Sequence, residues 1–266
     1  MPAELRVLSL GWGVQSWTLA AMAAVGELEP VDYAIHADTG WEQSGTYTHA
    51  ARWTPWLVER GVNVVTVKAQ RNDVVRADWG SGAIMIPAYS LDRASGDRGQ
   101  IKRQCTHDWK IMPIRAFIRQ ELQSRGLTKT PGRVESIQGI SLDEFHRMRD
   151  SDVKYIVNRY PLVDRRMTRA NCVTWLHAHD LPVPAKSACI FCPFTNNRGW
   201  RHLKQAGGYD WETAKEVDAN IRDRRSKCTL YIHPARKPLA EAVRIPEDEG
   251  AHQIELAGCD GGVCFV

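Results

Sequence analysis

What the chain lacks narrows its class first. No stretch of its 266 residues approaches the ~18 unbroken apolar residues of a membrane span, and its first residues lack the charged-then-apolar pattern of a secretory signal. The expected setting is therefore the cytoplasm, with no membrane partner. Internal repeats and low-complexity tracts are also missing, which removes array and linker architectures. Charge of one sign is scarce: the formal net charge of +4 is too small to argue a nucleic-acid partner by itself. The clusters Arg222, Arg224, Arg225, Lys227 and Arg236, Lys237 read first as solvated faces.

Cysteine is present but does not form an even set. Seven thiols in a chain without export features argue against a disulfide framework. Two of them make the spacing Cys189-Ile-Phe-Cys192, which in a reducing compartment points to metal or redox chemistry. Cys172 reads as buried packing, and Cys228 has no assignment. His107 and His233 are read as structural.

What is there begins with an apolar strand, 5–10, that breaks at Gly11-Trp12-Gly13 and reopens as a helix, 14–25, with Ser16 in its first turn. Glycines let backbone N–H groups approach an anion, and a helix N-terminus adds free donors and a positive dipole end. A second strand, 31–37, ends in Asp38-Thr39-Gly40-Trp41-Glu42, at the carboxyl edge where open α/β sheets bind ligands. Helix 43–60, with Trp53, Trp56 and Leu57 facing a core and Pro55 as a candidate kink, and strand 62–68 continue the βα alternation.

Residues 76–103 dissolve into glycines, serines and charges, and read as a loop serving as a lid. Helix 112–124, strand 134–140 and an extended stretch 155–163 follow. Thr168 is the expected N-cap of helix 169–179. After Pro182 come the rigid cysteine loop, helices near 196–206 and 211–224, and a glycine-rich tail with Cys259 and Cys264. The expected organisation is a nucleotide-binding domain, 1–180, and a cysteine-bearing, mostly helical extension, 181–266, closing over its site.

Six stretches in order carry a resemblance. Ser9-Leu10-Gly11-Trp12-Gly13-Val14-Gln15-Ser16 resembles the pyrophosphate loop, S-G-G-x-D-S, of the adenine nucleotide α-hydrolase-like (PP-loop ATP pyrophosphatase) superfamily. Asp38-Thr39-Gly40 resembles the D-T-G element of its phosphoadenosine-phosphosulfate (PAPS) reductase branch. Arg103-Gln104-Cys105 with Lys110 and Pro113 resembles that branch's R-x-C-C segment with its following K and P. Gly139-Ile140 with Glu144 and Arg147 is similar to G-x-R-x-x-E-S-x-x-R. Cys189 and Cys192 resemble its second cysteine pair, and Cys259 or Cys264 falls where sulfonucleotide reductases place a nucleophile. Two departures stand out: Gln15 replaces an aspartate, and Gln104 replaces one thiol of a tandem pair.

The resemblance implies a Rossmann-like α/β fold, a parallel twisted sheet with helices on both faces. It implies that Ser9, Gly11, Gly13, Gln15, Ser16, Asp38, Thr39, Gly40, Gly139 and Arg147 bind the nucleotide, either ATP or adenylyl sulfate, with Mg²⁺ as a further candidate at Asp38. Arg103 and Lys110 are implied phosphate-directed catalytic cations beside Cys259 or Cys264. Cys105, Cys189, Cys192 and Cys264 are implied ligands of a 4Fe–4S cluster, with zinc as the alternative. The first functional expectation is ATP-dependent sulfur transfer to a nucleic-acid base or DNA phosphate, supplied by a cysteine desulfurase. The second is a thioredoxin-dependent sulfonucleotide reductase. The third is a zinc-stabilised, non-catalytic nucleic-acid-binding subunit.

Overall fold

A computed structural model describes residues 3–70 and 84–245. They fall into two compact units, one drawn from residues 3–69 and 108–187, the other from residues 70, 84–107 and 188–245.

The first unit is built on a five-stranded parallel sheet. Its strands are β1 (Leu5–Ser9), β2 (Tyr33–Asp38), β3 (Val64–Lys68), β6 (Val134–Ile137) and β7 (Ile156–Arg159), in the order β3-β2-β1-β6-β7. Alternate residues of the central strands feed opposite cores, as a period of two requires. Leu8, Ala34 and Ile137 face α1 (Val14–Ala24), α2 (Ser44–Glu59) and α5 (Arg169–Ala178). Leu5, Val7, Ile35 and Val134 face α3 (Met112–Ser124) through Ile118 and Leu122. Helices thus cover both faces, as expected. The helix of Ser44–Glu59 runs on through Pro55. Thr168 does cap α5, its hydroxyl accepting from the Asn171 amide in a reciprocal capping box.

The strand order places a reversal beside β1, since β2 lies on one side of it and β6 on the other. At such a reversal the connections leave in opposite directions and open a crevice at the carboxyl ends of the strands. The segments after β1 and β6 are the two glycine-bearing stretches, Gly11–Ser16 and Gly139–Arg147.

The second unit holds an antiparallel sheet, β5-β4-β8, of Arg98–Gln100, Tyr89–Asp92 and Cys228–Tyr231, with α6 (Asn197–Ala206), α7 (Gly208–Ile221) and α8 (Leu239–Ala242). Two stretches differ from the expectation. Within the stretch read as a lid loop, Tyr89–Asp92 and Arg98–Gln100 form a hairpin, its turn tied by Asp92 accepting from the amides of Ala94 and Ser95. These strands are short and their partner β8 lies more than a hundred residues on, so no local pattern marks them. The extended stretch 155–163 is likewise only partly extended: β7 ends at Arg159 and Pro161 opens a short helix, α4 (Pro161–Asp164), the position where proline's fixed φ suits a helix.

Candidate nucleotide site

The turn after β1 is shaped differently from its sequence. The left-handed residue is Trp12, at φ +57°, while Gly13 sits in the extended region at φ −84°. For a bulky side chain that conformation costs roughly 1–2 kcal/mol. Its indole is buried, 6.0 Å from the ring of Trp17 and 5.7 Å from that of His49. Trp17 in turn meets Trp53 and Trp56. Packing in this aromatic cluster offsets the strain and holds the loop.

Gly13 then serves as the N-cap of α1 without a side-chain cap, so the first-turn donors of the helix have no side-chain acceptor there. Ser16 turns its hydroxyl inward: it accepts from the Gly11 amide at 3.2 Å and donates to the Gly13 carbonyl at 3.3 Å, closing the loop on itself. Ser187, whose place in the site no sequence pattern signalled, donates to the Gly11 carbonyl at 2.5 Å. Gly139 lies flat against the same turn. A Cβ there would stand 2.8 Å from the Ser16 nitrogen, so only glycine permits the approach.

Beyond Gly139, the 3₁₀ turn Leu142–Arg147 supplies charge. Arg147 is 8% exposed; it donates to Glu144 at 2.8 Å, and its Nε is buried without a hydrogen-bond partner. The Gln15 amide joins this turn to α5. Its nitrogen donates to Glu144 at 3.1 Å and to Ser141 at 3.4 Å, and its oxygen accepts from Arg169 at 2.9 Å. Gln15, the departure from the PP-loop pattern, is thus a neutral bridge between a carboxylate and a guanidinium.

The Asp38 element is internally satisfied. Asp38 accepts from the Gly40 amide, from the Tyr47 hydroxyl at 2.7 Å and from Lys68 at 2.9 Å. Burial raises its pKa, but Lys68, the Gly40 amide and Tyr47 outweigh that and hold it below the ordinary carboxylate range. Thr39 donates to Glu42, and Gly40 takes φ +75° to close the turn. Glu42, 1% exposed, also accepts from Lys110 at 3.1 Å. Lys110, expected to face phosphate, is thus paired with a buried carboxylate that the sequence reading had left without a role. His36 lies beneath, its Nδ1 3.0 Å from the Leu10 carbonyl, and burial lowers its pKa. Ser9 is the last residue of β1 and is half-buried.

The structure therefore brings Gly11, Gly13, Gln15, Ser16, Gly139 and Arg147 together at the reversal of the sheet. The fold is of the expected class, a Rossmann-like α/β arrangement with a parallel sheet and helices on both faces. No protein-family model matches the chain, and neither does any curated protein. Among solved structures, it is similar to a phosphoadenylyl-sulfate (PAPS) reductase from Candida auris in a phosphate complex, at 12% identity over 68% of this chain and 75% of that one, TM-score 0.42. It is also similar to the U34-tRNA thiolase NcsA from Methanococcus maripaludis with its [4Fe-4S] cluster, at 12% identity over 84% and 73%, TM-score 0.43. Likeness at this level assigns neither activity to this chain.

Cys105, Cys189 and Cys192 belong to the second unit, where they are half-buried and not joined in disulfides. Cys189 and Cys192 close a turn, the Cys192 amide donating to the Cys189 carbonyl at 3.0 Å. Arg103, two residues from Cys105, lies over the ring of Phe194, two residues from Cys192, at 5.2 Å. Its Nε and one terminal nitrogen are buried without hydrogen-bond partners. Among the described residues, no three His, Cys, Asp or Glu side chains converge as ligands to a metal ion. Cys264, the fourth expected ligand, and Cys259 lie outside the described residues. Cys172 is buried as expected, and burial raises its pKa to about 11. No described helix is long and apolar enough to cross a membrane.

Proposed function

We propose that the chain is an adenine-nucleotide-dependent enzyme of sulfur transfer, with the phosphates of ATP held where α1 begins. The observation that carries this reading is the conjunction at the sheet reversal. Uncapped first-turn donors of α1 stand against a glycine that cannot be replaced without collision, beside a buried arginine with an unused donor. Each feature favours an anion, and together they suit a phosphate group.

In this reading an acceptor oxygen attacks the α-phosphorus. Pyrophosphate leaves with the electron pair of the broken P–O bond, and a sulfur nucleophile then displaces AMP from the acceptor. The α1 N-terminus and Arg147 stabilise the charge that gathers on the departing pyrophosphate. The acceptor class is a nucleic-acid base or a DNA phosphate, and the sulfur originates in a cysteine desulfurase. Cys105, Cys189 and Cys192 are the thiols for the sulfur chemistry. Whether they carry iron–sulfur, zinc or bare thiols is decided by iron, zinc and acid-labile sulfide analysis after anaerobic purification.

The deciding assay offers the protein ATP with an acceptor, and separately adenylyl sulfate with a thiol donor. Pyrophosphate release in the first is the expected result. Sulfite release in the second alone would assign a sulfonucleotide reductase instead, and nucleic-acid binding with neither product would assign a non-catalytic subunit.

A further inference from the structure

Arg169 sits badly for a helix. It is the first residue of α5, where the positive end of the helix dipole disfavours a cation. Among the described residues no carboxylate pairs with its guanidinium: the hydrogen bond it makes goes to the Gln15 amide oxygen at 2.9 Å, and its Nε is buried without a hydrogen-bond partner. The nearby Asp143 accepts from the Arg169 backbone amide, at 2.9 Å. A cation placed against its helix dipole and left un-neutralised by its own fold is held ready for an anion that comes from elsewhere.

We infer that Arg169 is a second phosphate-binding arginine of this site, and that Gln15 is the positioning residue that aims it. The inference rests on the nucleotide reading above and adds to it a ligand class: a molecule with at least two linked phosphates. Two guanidiniums contribute. Arg147 is partly balanced by Glu144, whereas Arg169 is bound by a neutral amide and keeps its full charge. The Gln15 amide performs both tasks at once, donating to Glu144 and accepting from Arg169. A carboxylate in its place would repel Glu144 and neutralise Arg169; an apolar residue would release both. Pyrophosphate, or the β- and γ-phosphates of a nucleoside triphosphate, offers one group to each arginine, and a lone phosphate does not.

The test titrates the full-length protein with ATP, AMP and inorganic pyrophosphate by calorimetry, in wild type and in Arg169→Gln, Arg169→Lys, Gln15→Glu and Arg147→Gln. Melting curves check that each variant folds. Arg169→Gln is expected to weaken ATP and pyrophosphate by roughly tenfold or more, the scale of a lost charge-assisted bond, and to leave AMP within about twofold. Gln15→Glu is expected to reproduce that selective loss although Arg169 is still present, and Arg169→Lys to restore part of it. Equal loss for AMP and ATP, or wild-type ATP affinity in Arg169→Gln, overturns the inference. If Arg147→Gln weakens ATP while Arg169→Gln does not, this inference fails and the nucleotide reading stands. If wild type binds neither ATP nor pyrophosphate, both fail.

Discussion

At the scale of single residues, two positions carry sharp consequences. Gly139→Ala would press a methyl group to 2.8 Å from the Ser16 nitrogen and 3.0 Å from its Cα, both backbone atoms that cannot swing aside. The start of α1 must shift, so ATP affinity is expected to fall at least tenfold while the far-ultraviolet dichroism stays that of wild type; unchanged affinity in a titration would refute the contact. His49 gives a pH signature. Its ring stands edge-on to Trp12 and Trp17, its Nε2 is buried without a partner, and burial lowers its pKa to about 4. The unfolded chain takes up that proton near pH 6.5, so between about pH 6.5 and 4 the unfolded state holds more protons and stability falls as pH falls. Melting temperature followed over that window is expected to drop less steeply in His49→Phe than in wild type. A residual slope from His36 and His233, whose pKa values burial also lowers, remains.

Elements show how local signals and distant packing divide the work. Thr168 was legible because an N-cap is a local matter, and Thr168→Ala should cost about 1 kcal/mol of stability in a denaturant titration, against no change if the cap were idle. The phosphate loop was legible only in part. Two glycines suggested where the backbone turns, yet the left-handed residue is the tryptophan between them, because the deciding force is an aromatic cluster drawn from α1 and α2. Trp12→Gly separates the two effects: relief of strain returns roughly 1–2 kcal/mol and loss of the buried indole removes about 3–5, so a net loss of roughly 1–4 kcal/mol is expected. A variant more stable than wild type would mean that strain, not packing, governs the loop. The β4–β5 hairpin and β8 were not legible, since short strands with a far partner leave no periodicity to read.

On the scale of the molecule, the parallel sheet and its helices could be read from βα alternation, because β1, β2 and β3 are largely apolar segments separated by helical patterns and turns. The strand order could not, yet it is the order that sets β1 beside β6 and creates the crevice. Arg169 and Ser187 were missed for the same reason: their roles arise from contacts with Gln15 and Gly11 more than a hundred residues away. Arg169 alone left a trace in the sequence, a cation directly after an N-cap. Asp38 and Lys110, by contrast, matched a motif and proved to be engaged with Lys68, Tyr47 and Glu42.

Phosphorus NMR of ATP mixed with stoichiometric protein asks most directly whether phosphate sits at the start of α1. Shifted and broadened β- and γ-resonances with wild type, returning towards free ATP with Arg147→Gln, are the expected result. Spectra of free ATP in the presence of wild-type protein, or identical perturbation by both proteins, would contradict it.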